Sequence, residues 1–165
     1  MQTDILILDV DGTLTQGGVA YGTDDEIKEF NIKDGLIISV MAKLGISVVF
    51  LTGRRSAAVE RRAMELGAEA IQGVYDKLPA LQSIFAKRSI LPENAAYIGD
   101  DLNDYAAMKI CGFRACPADA AKEIKDICCY VSMYKGGQGA VRDIGEHLLK
   151  THGYYDKLLE LYGVV

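Results

Sequence analysis

Ile5-Leu6-Ile7-Leu8-Asp9-Val10-Asp11-Gly12-Thr13 is the stretch on which the reading of this chain turns. Four apolar residues run without interruption into two carboxylates and a glycine. A short apolar run closed by a turn signal reads as a strand covered on both faces. Two more runs end in the same manner: residues 48–51 lead into Thr52-Gly53-Arg54, and residues 95–98 lead into Gly99-Asp100-Asp101-Leu102-Asn103-Asp104. Lys77 stands between the last two. Polar groups placed at the carboxyl ends of several strands sit where an open α/β sheet forms its binding crevice.

Working outward, strand-like and helix-like runs alternate. Strands are expected at 5–9, 47–51, 70–72, 95–98, 113–116 and 130–132. Helices are expected at 35–44, 56–66, 78–88, 103–110, 120–126 and 139–150. Asp34 is positioned as an N-cap and Ser56 as another, while Gly45 and Gly67 fall just past helix ends. The alternation predicts an α/β fold, a Rossmann-like and mostly parallel sheet with helices on both faces. Residues 17–31 break the rhythm. Gly18-Val19-Ala20-Tyr21 and residues 26–30 flank the turn-rich Gly22-Thr23-Asp24-Asp25, which predicts a β-hairpin leaving the sheet beside the first acidic motif. Such a hairpin is marginal alone in water, so it is expected to pack on something, a partner subunit being one candidate. No large cap domain is expected. Residues 154–162 carry a helical apolar stripe, suited to docking on the chain itself or on another subunit.

The 165 residues, half of them hydrophobic and a quarter charged, are read as a single domain, 1–165. A formal charge of −5 argues against nucleic acid or an anionic membrane surface as partner. No apolar stretch approaches a membrane span, and no secretory signal is visible at the N-terminus. The cysteines, at 111, 116, 128 and 129, have no metal-site spacing and are expected as reduced, buried thiols of a cytoplasmic protein.

The strand-end groups define a chemistry. Asp9 and Asp11 are two apart, so an extended backbone projects both carboxylates to one side and Val10 to the other. Adding a phosphate makes the repulsion worse: unit charges about 3 Å apart at an effective dielectric near 20 interact by roughly 5 kcal/mol. A counter-charge is required, and Mg²⁺, which prefers oxygen ligands and is commonly held by carboxylates with substrate phosphate, suits it. The acidic motif at 99–104 would supply the remaining ligands. Thr52 and Gly53 offer a hydroxyl and a backbone N–H to the oxygens of a transferring phosphoryl group, and Lys77 offers an ammonium between nucleophile and phosphate.

Asp-Val-Asp-Gly-Thr, Thr52, Lys77 and Gly-Asp-Asp-x-x-Asp together resemble the motif set of the haloacid dehalogenase superfamily of phosphotransferases. More narrowly, the chain resembles the 3-deoxy-D-manno-octulosonate 8-phosphate phosphatases. That likeness rests on Phe30-Asn31-Ile32-Lys33-Asp34-Gly35, Leu51-Thr52-Gly53-Arg54, Gln72-Gly73, Ala96-Tyr97-Ile98-Gly99-Asp100-Asp101-Leu102 and Gly136-Gly137-Gln138-Gly139-Ala140-Val141-Arg142. The resemblance implies that Asp9 is a nucleophile forming an aspartyl-phosphate and that Asp11 is the acid/base. It implies that Mg²⁺ is bound by the Asp9 carboxylate, the Asp11 carbonyl and Asp100, with Asp104 holding a metal water. Thr52 and Lys77 bind the phosphoryl group. It further implies a sugar-phosphate substrate and a homotetramer built through the hairpin, in which neighbouring subunits close the sites. Gln16 and Ile37 depart from positions where relatives carry Asp and Gly. Phosphatases for nine-carbon ulosonate 9-phosphates carry Glu where Arg54 stands, so Arg54 leans toward the eight-carbon acid, whose carboxylate it suits as a bidentate partner. Arg62 is a further candidate ligand. A receiver-like signalling domain also combines strand-end carboxylates, Thr and Lys, but places its phosphorylated Asp where this chain has Thr52.

Overall fold

The computed structural model describes residues 3–23 and 25–165. The order is β1 (Ile5–Leu8), β2 (Ala20–Tyr21), β3 (Glu26–Ile27), α1 (Ile32–Lys43), β4 (Ser47–Thr52), α2 (Ala57–Leu66), β5 (Glu69–Gln72), α3 (Lys77–Arg88), β6 (Ala95–Ile98), α4 (Leu102–Met108), β7 (Phe113–Cys116), α5 (Lys122–Ile127), β8 (Tyr130–Val131), α6 (Ala140–Thr151) and α7 (Tyr155–Leu161). Six strands form one sheet in the order β5-β4-β1-β6-β7-β8, and every pairing in it is parallel. From β1 the chain first steps outward through β4 to β5, then returns to the opposite side of β1 with β6. That reversal places the crevice at the carboxyl ends of β1, β4 and β6.

The strands are apolar throughout because both faces are covered, and their period of two sorts them. Leu6, Leu8, Val48, Phe50, Ala96 and Ile98 pack with Ile37 and Met41 of α1, Val59 of α2 and Ile144 and Leu148 of α6. Ile5, Ile7, Val49, Leu51, Ala95 and Tyr97 pack with Leu81 and Phe85 of α3, Met108 of α4 and Ile124 of α5. Each fully buried Leu, Ile or Phe contributes about 1.5–3 kcal/mol before conformational entropy is counted, so β1, buried along its whole length, is a rigid base. The same alternation carries Val10 into the first cluster and turns Asp9 toward the α3 face.

Helix ends follow their side chains. Ser56 Oγ accepts the Ala58 N–H, and α2 stops at Gly67 in the left-handed region. The expectation for Asp34 is corrected. The cap of α1 is Asn31, whose extended backbone lets its side chain accept the N–H groups of Lys33 and Asp34. Asp34 is drawn inside and instead accepts the Arg142 N–H at 2.7 Å, closing the start of α6, whose own cap residue is Gly139. A side chain of α1 thereby caps α6. Leu158 of α7 is buried in the first cluster, so the C-terminal stripe docks on its own chain, leaving Leu161 and Tyr162 exposed.

Residues 17–31 do contain an antiparallel pair, β2 with β3. Asp24, in the expected turn, lies outside the described residues. All four cysteines are free. Cys111 and Cys116 are buried, but Cys129 is exposed because it follows the end of α5 into an edge strand. No helix among the described residues is long and apolar enough to cross a membrane.

Candidate active site

The buried run of β1 ends by delivering Asp9, 4 % exposed, to the mouth of the sheet. Lys77 opens α3 and is completely enclosed. Its ammonium lies 2.5 Å from Asp9 Oδ1 and 2.6 Å from Asp104 Oδ1. Asp100, at the end of β6, completes the group: Asp9, Asp100 and Asp104 each place a carboxylate oxygen within 4.8 Å of the others. Asp9 and Asp100 therefore lie close enough to share one ion, as the sequence reading requires.

Asp104 is the least accessible of the three, with no exposed surface. Its Oδ1 accepts from Lys77 and from the Tyr97 hydroxyl at 2.8 Å. Its Oδ2 accepts from the backbone N–H of Asp100 at 3.1 Å and of Asp101 at 3.4 Å. Four donors on one carboxylate make it a bracket that orients both the lysine and the Asp100 loop. Thr13 donates its hydroxyl to Asp100 Oδ1 at 3.0 Å. Gly12 has a positive φ of 95°, and a Cβ there would stand 2.0 Å from Asp100 Oδ2. Only glycine lets the β1 loop and the Asp100 carboxylate approach so closely. Gly136 is needed for a similar reason, since its Cβ would fall 1.7 Å from the Gly12 carbonyl oxygen; the 136–139 loop packs directly on the first motif.

Three carboxylates face one ammonium, leaving two formal negative charges unmatched. Burial and the Asp104 charge push the Asp9 carboxyl well above the ordinary carboxylate range, against the opposing pull of Lys77. Burial likewise pushes Asp100 up to about 6, with Asp104 adding to the rise and the Thr13 hydrogen bond opposing it. Burial pulls the Lys77 ammonium down, but Asp9 and Asp104 more than reverse this, so its pKa is raised. Close, oxygen-only donors, two of which, Asp9 and Asp100, have carboxyls raised by burial and by neighbouring negative charge, fit a hard divalent cation.

The remaining candidates separate. Thr52, buried at the end of β4, accepts the Arg54 N–H at 3.3 Å, leaving its own proton for another acceptor. Gly53 follows it, close to Tyr75. Asp11 is not one of the three clustered carboxylates; its Oδ1 is 2.5 Å from Lys28 Nζ. Arg54 pairs with Glu26 through a forked contact. Arg62 packs over the Phe30 ring, 5.9 Å from its centroid, and donates to the Asn31 carbonyl oxygen at 3.5 Å. Sequence reasoning gave no role to Tyr97, Thr13, Glu26 or Lys28. A buried tyrosine in an apolar strand signals a polar partner, so Tyr97 could have been found; nothing local marks Lys28.

A parallel sheet with a carboxylate, a lysine and an acidic loop at its switch point defines a hydrolase that handles phosphoryl groups. The family model for haloacid dehalogenase-like hydrolases matches residues 68–143, the stretch holding Lys77, Asp100 and Asp104. The chain is 39% identical over 155 residues to the 3-deoxy-D-manno-octulosonate 8-phosphate phosphatase KdsC of Escherichia coli K12, covering 93% of this chain and 82% of that protein. To KdsC of Yersinia pestis it is 40% identical over 147 residues, covering 88% and 79%. A crystal structure of the Moraxella catarrhalis 3-deoxy-D-manno-octulosonate 8-phosphate phosphatase, with magnesium ion, phosphate ion and KDO, superposes with a TM-score of 0.92 at 36% identity, covering 97% of this chain and 93% of that one. The chain belongs to the 3-deoxy-D-manno-octulosonate 8-phosphate phosphatase family of haloacid dehalogenase-like hydrolases, and is a phosphoric monoester hydrolase.

Proposed function

We propose that this chain is a Mg²⁺-dependent phosphatase acting on 3-deoxy-D-manno-octulosonate 8-phosphate through an aspartyl-phosphate intermediate. The observation that carries it is the Asp9 carboxylate, buried at the end of β1, touching Lys77 and within reach of a shared ion with Asp100. The Asp9 carboxylate, the Asp11 carbonyl and Asp100 would hold Mg²⁺, with Asp104 behind them. When bound, the ion offsets the negative charge that carboxylates and phosphate bring together.

The residues of the chain divide the work. A carboxylate oxygen of Asp9 attacks phosphorus as the ester P–O bond breaks, and Asp11 gives its proton to the departing sugar oxygen. Asp11 then takes a proton from water, whose oxygen attacks phosphorus and frees Asp9 and inorganic phosphate. Thr52, the Gly53 N–H and Lys77 hold the phosphoryl oxygens. Arg54, with its side chain 42 % exposed beside Glu26, takes the ulosonate carboxylate, and Arg62 supports that side of the pocket. The enzyme works in the cytoplasm as a homotetramer joined through the hairpin. Supporting the assembly, Tyr21 and Ile27 on the hairpin are exposed.

The test is turnover by purified protein with Mg²⁺ of eight- and nine-carbon ulosonate phosphates side by side. Phosphate release is expected from the eight-carbon ester with the higher kcat/KM. Faster release from a nine-carbon ester moves the substrate; release from neither removes the function. Ile27→Asp should convert the assembly to smaller species by sedimentation, and an unchanged mass would remove the hairpin from the interface.

A further inference from the structure

Strand β3 is inside out. A strand on a protein surface normally turns its apolar side chains inward and its charges to solvent. Here Ile27 is 62 % exposed, while Glu26 and Lys28, its neighbours on the opposite face, are turned in against Arg54 and Asp11. The Lys28 side chain is only 3 % exposed. Enclosing an ammonium is costly unless it is paired and hydrogen-bonded, and Lys28 meets that cost with two carboxylates, Asp11 Oδ1 at 2.5 Å and Glu26 Oε2 at 3.0 Å. Glu26 is in turn gripped by Arg54, next to the Thr52-Gly53 phosphate loop. The line Asp11–Lys28–Glu26–Arg54 thus ties the first-motif loop to the second through the hairpin, and its charges balance.

The backbone around Asp11 is fixed without the hairpin: the N–H groups of Thr13, Leu14 and Thr15 all converge on the Val10 carbonyl oxygen. The Asp11 side chain is not fixed in that way. Among the described residues its one hydrogen-bond partner is Lys28. Holding Oδ1 leaves Oδ2 as the oxygen that meets the reacting groups, and sets the direction from which it does so. Proton transfer is sensitive to such placement. We infer that Lys28 is a positioning residue for Asp11: the hairpin orients the acid/base carboxylate, in addition to any contact it makes with other subunits. The inference rests on Asp11 serving as acid/base in the proposed reaction.

A double-mutant cycle on the full-length enzyme with Mg²⁺ and 3-deoxy-D-manno-octulosonate 8-phosphate tests it, reading kcat/KM for wild type, K28M, D11N and K28M/D11N. General acid–base catalysis is worth roughly 10²–10⁴-fold, so D11N should fall in that range. K28M should lose about 10–50-fold in the wild-type background and less than about threefold in the D11N background, because its effect passes through Asp11. K28R, which keeps charge and donors, should stay within about fivefold of wild type. Circular dichroism and a thermal melt establish that each variant folds, and K28Q replaces K28M in the cycle if methionine prevents folding. Equal losses in both backgrounds would make Lys28 a substrate ligand or a fastener of the hairpin and overturn the inference while the function stands. Wild-type activity with an unimpaired D11N removes the role of Asp11, and the inference with it. A wild type inactive on the sugar phosphate fails the function itself.

Discussion

The mouth of the sheet and the hairpin beside it hold charges by opposite means. At the mouth, Asp9, Lys77 and Asp104 are fixed by strands and helices whose apolar faces fill two cores, and their pairing is buried. The hairpin has strands of two residues each and no core of its own. It is held by charge: Asp25 on the start of α2, Glu26 on Arg54, Lys28 on Asp11. Packing gives positions that survive changes of salt. Ion pairs, even enclosed ones such as Lys28 with Asp11, give positions that the loss of one partner can release.

The largest effect expected from breaking the first region is chemical. Asp9→Asn should lower turnover at least about 10³-fold, the scale on which nucleophile loss acts, while the melt stays intact because Lys77 retains Asp104. Residual activity within tenfold of wild type would mean that another group attacks phosphorus. Next comes the base under the site. Phe50→Ala, at a position with no exposed surface on β4, should cost about 3–5 kcal/mol in denaturant unfolding; less than 1 kcal/mol would mean the core does not hold the mouth rigid.

The carboxylate group adds a pH signature. Asp100 is raised to about 6 by burial first and by Asp104, above the ordinary value of 3.8. A carboxyl raised on folding favours the native state while protonated. Metal-free protein should therefore lose stability as pH rises from about 4 through 6, by on the order of 2–3 kcal/mol. Asp100→Asn should flatten that loss. Mg²⁺ must displace those protons, so its affinity should weaken as pH falls through 6. Calorimetric titrations at pH 5 and 7.5 measure it, and equal affinities at both would contradict the assignment of Asp100.

How much of this was legible in the sequence follows the same division. Asp9, Thr52 and Asp100 each end an apolar run, so a local pattern announces both strand and site, and Lys77 falls at a helix start within the same order. The six parallel strands follow from βα alternation. Asp34 was misread because a cap is recognised by local spacing, and Asn31, three residues earlier, offers an equally good acceptor; that Asp34 caps α6, more than a hundred residues on, has no local sign. Cys129 was misread because burial of a thiol at an edge strand depends on what covers the edge. Lys28 and Glu26 were unmarked because Asp11 and Arg54, the partners that tie them to the two loops, are distant in sequence, and a two-residue strand is too short for periodicity to show which face points inward.

The smallest effect is expected where the hairpin meets α2. Asp25 Oδ2 accepts the Ala57 N–H at 2.7 Å and the Ser56 hydroxyl at 3.3 Å, supplying a helix start with an acceptor from outside its own segment. Ser56 already caps Ala58, so the helix keeps one cap when Asp25 is lost. The Glu26 and Ala57 N–H groups hold the Asp25 carboxyl below the ordinary range. Its contribution is therefore present above pH 4 and fades as pH falls below that. Asp25→Ala should speed hydrogen exchange at the Ala57 amide by roughly threefold to tenfold at neutral pH, with the Phe50 amide in β4 unchanged. The difference between variant and wild type should shrink in acid. Accelerated exchange throughout α2, or equal acceleration in β4, would mean that the hairpin is coupled to the core and that the two regions are one.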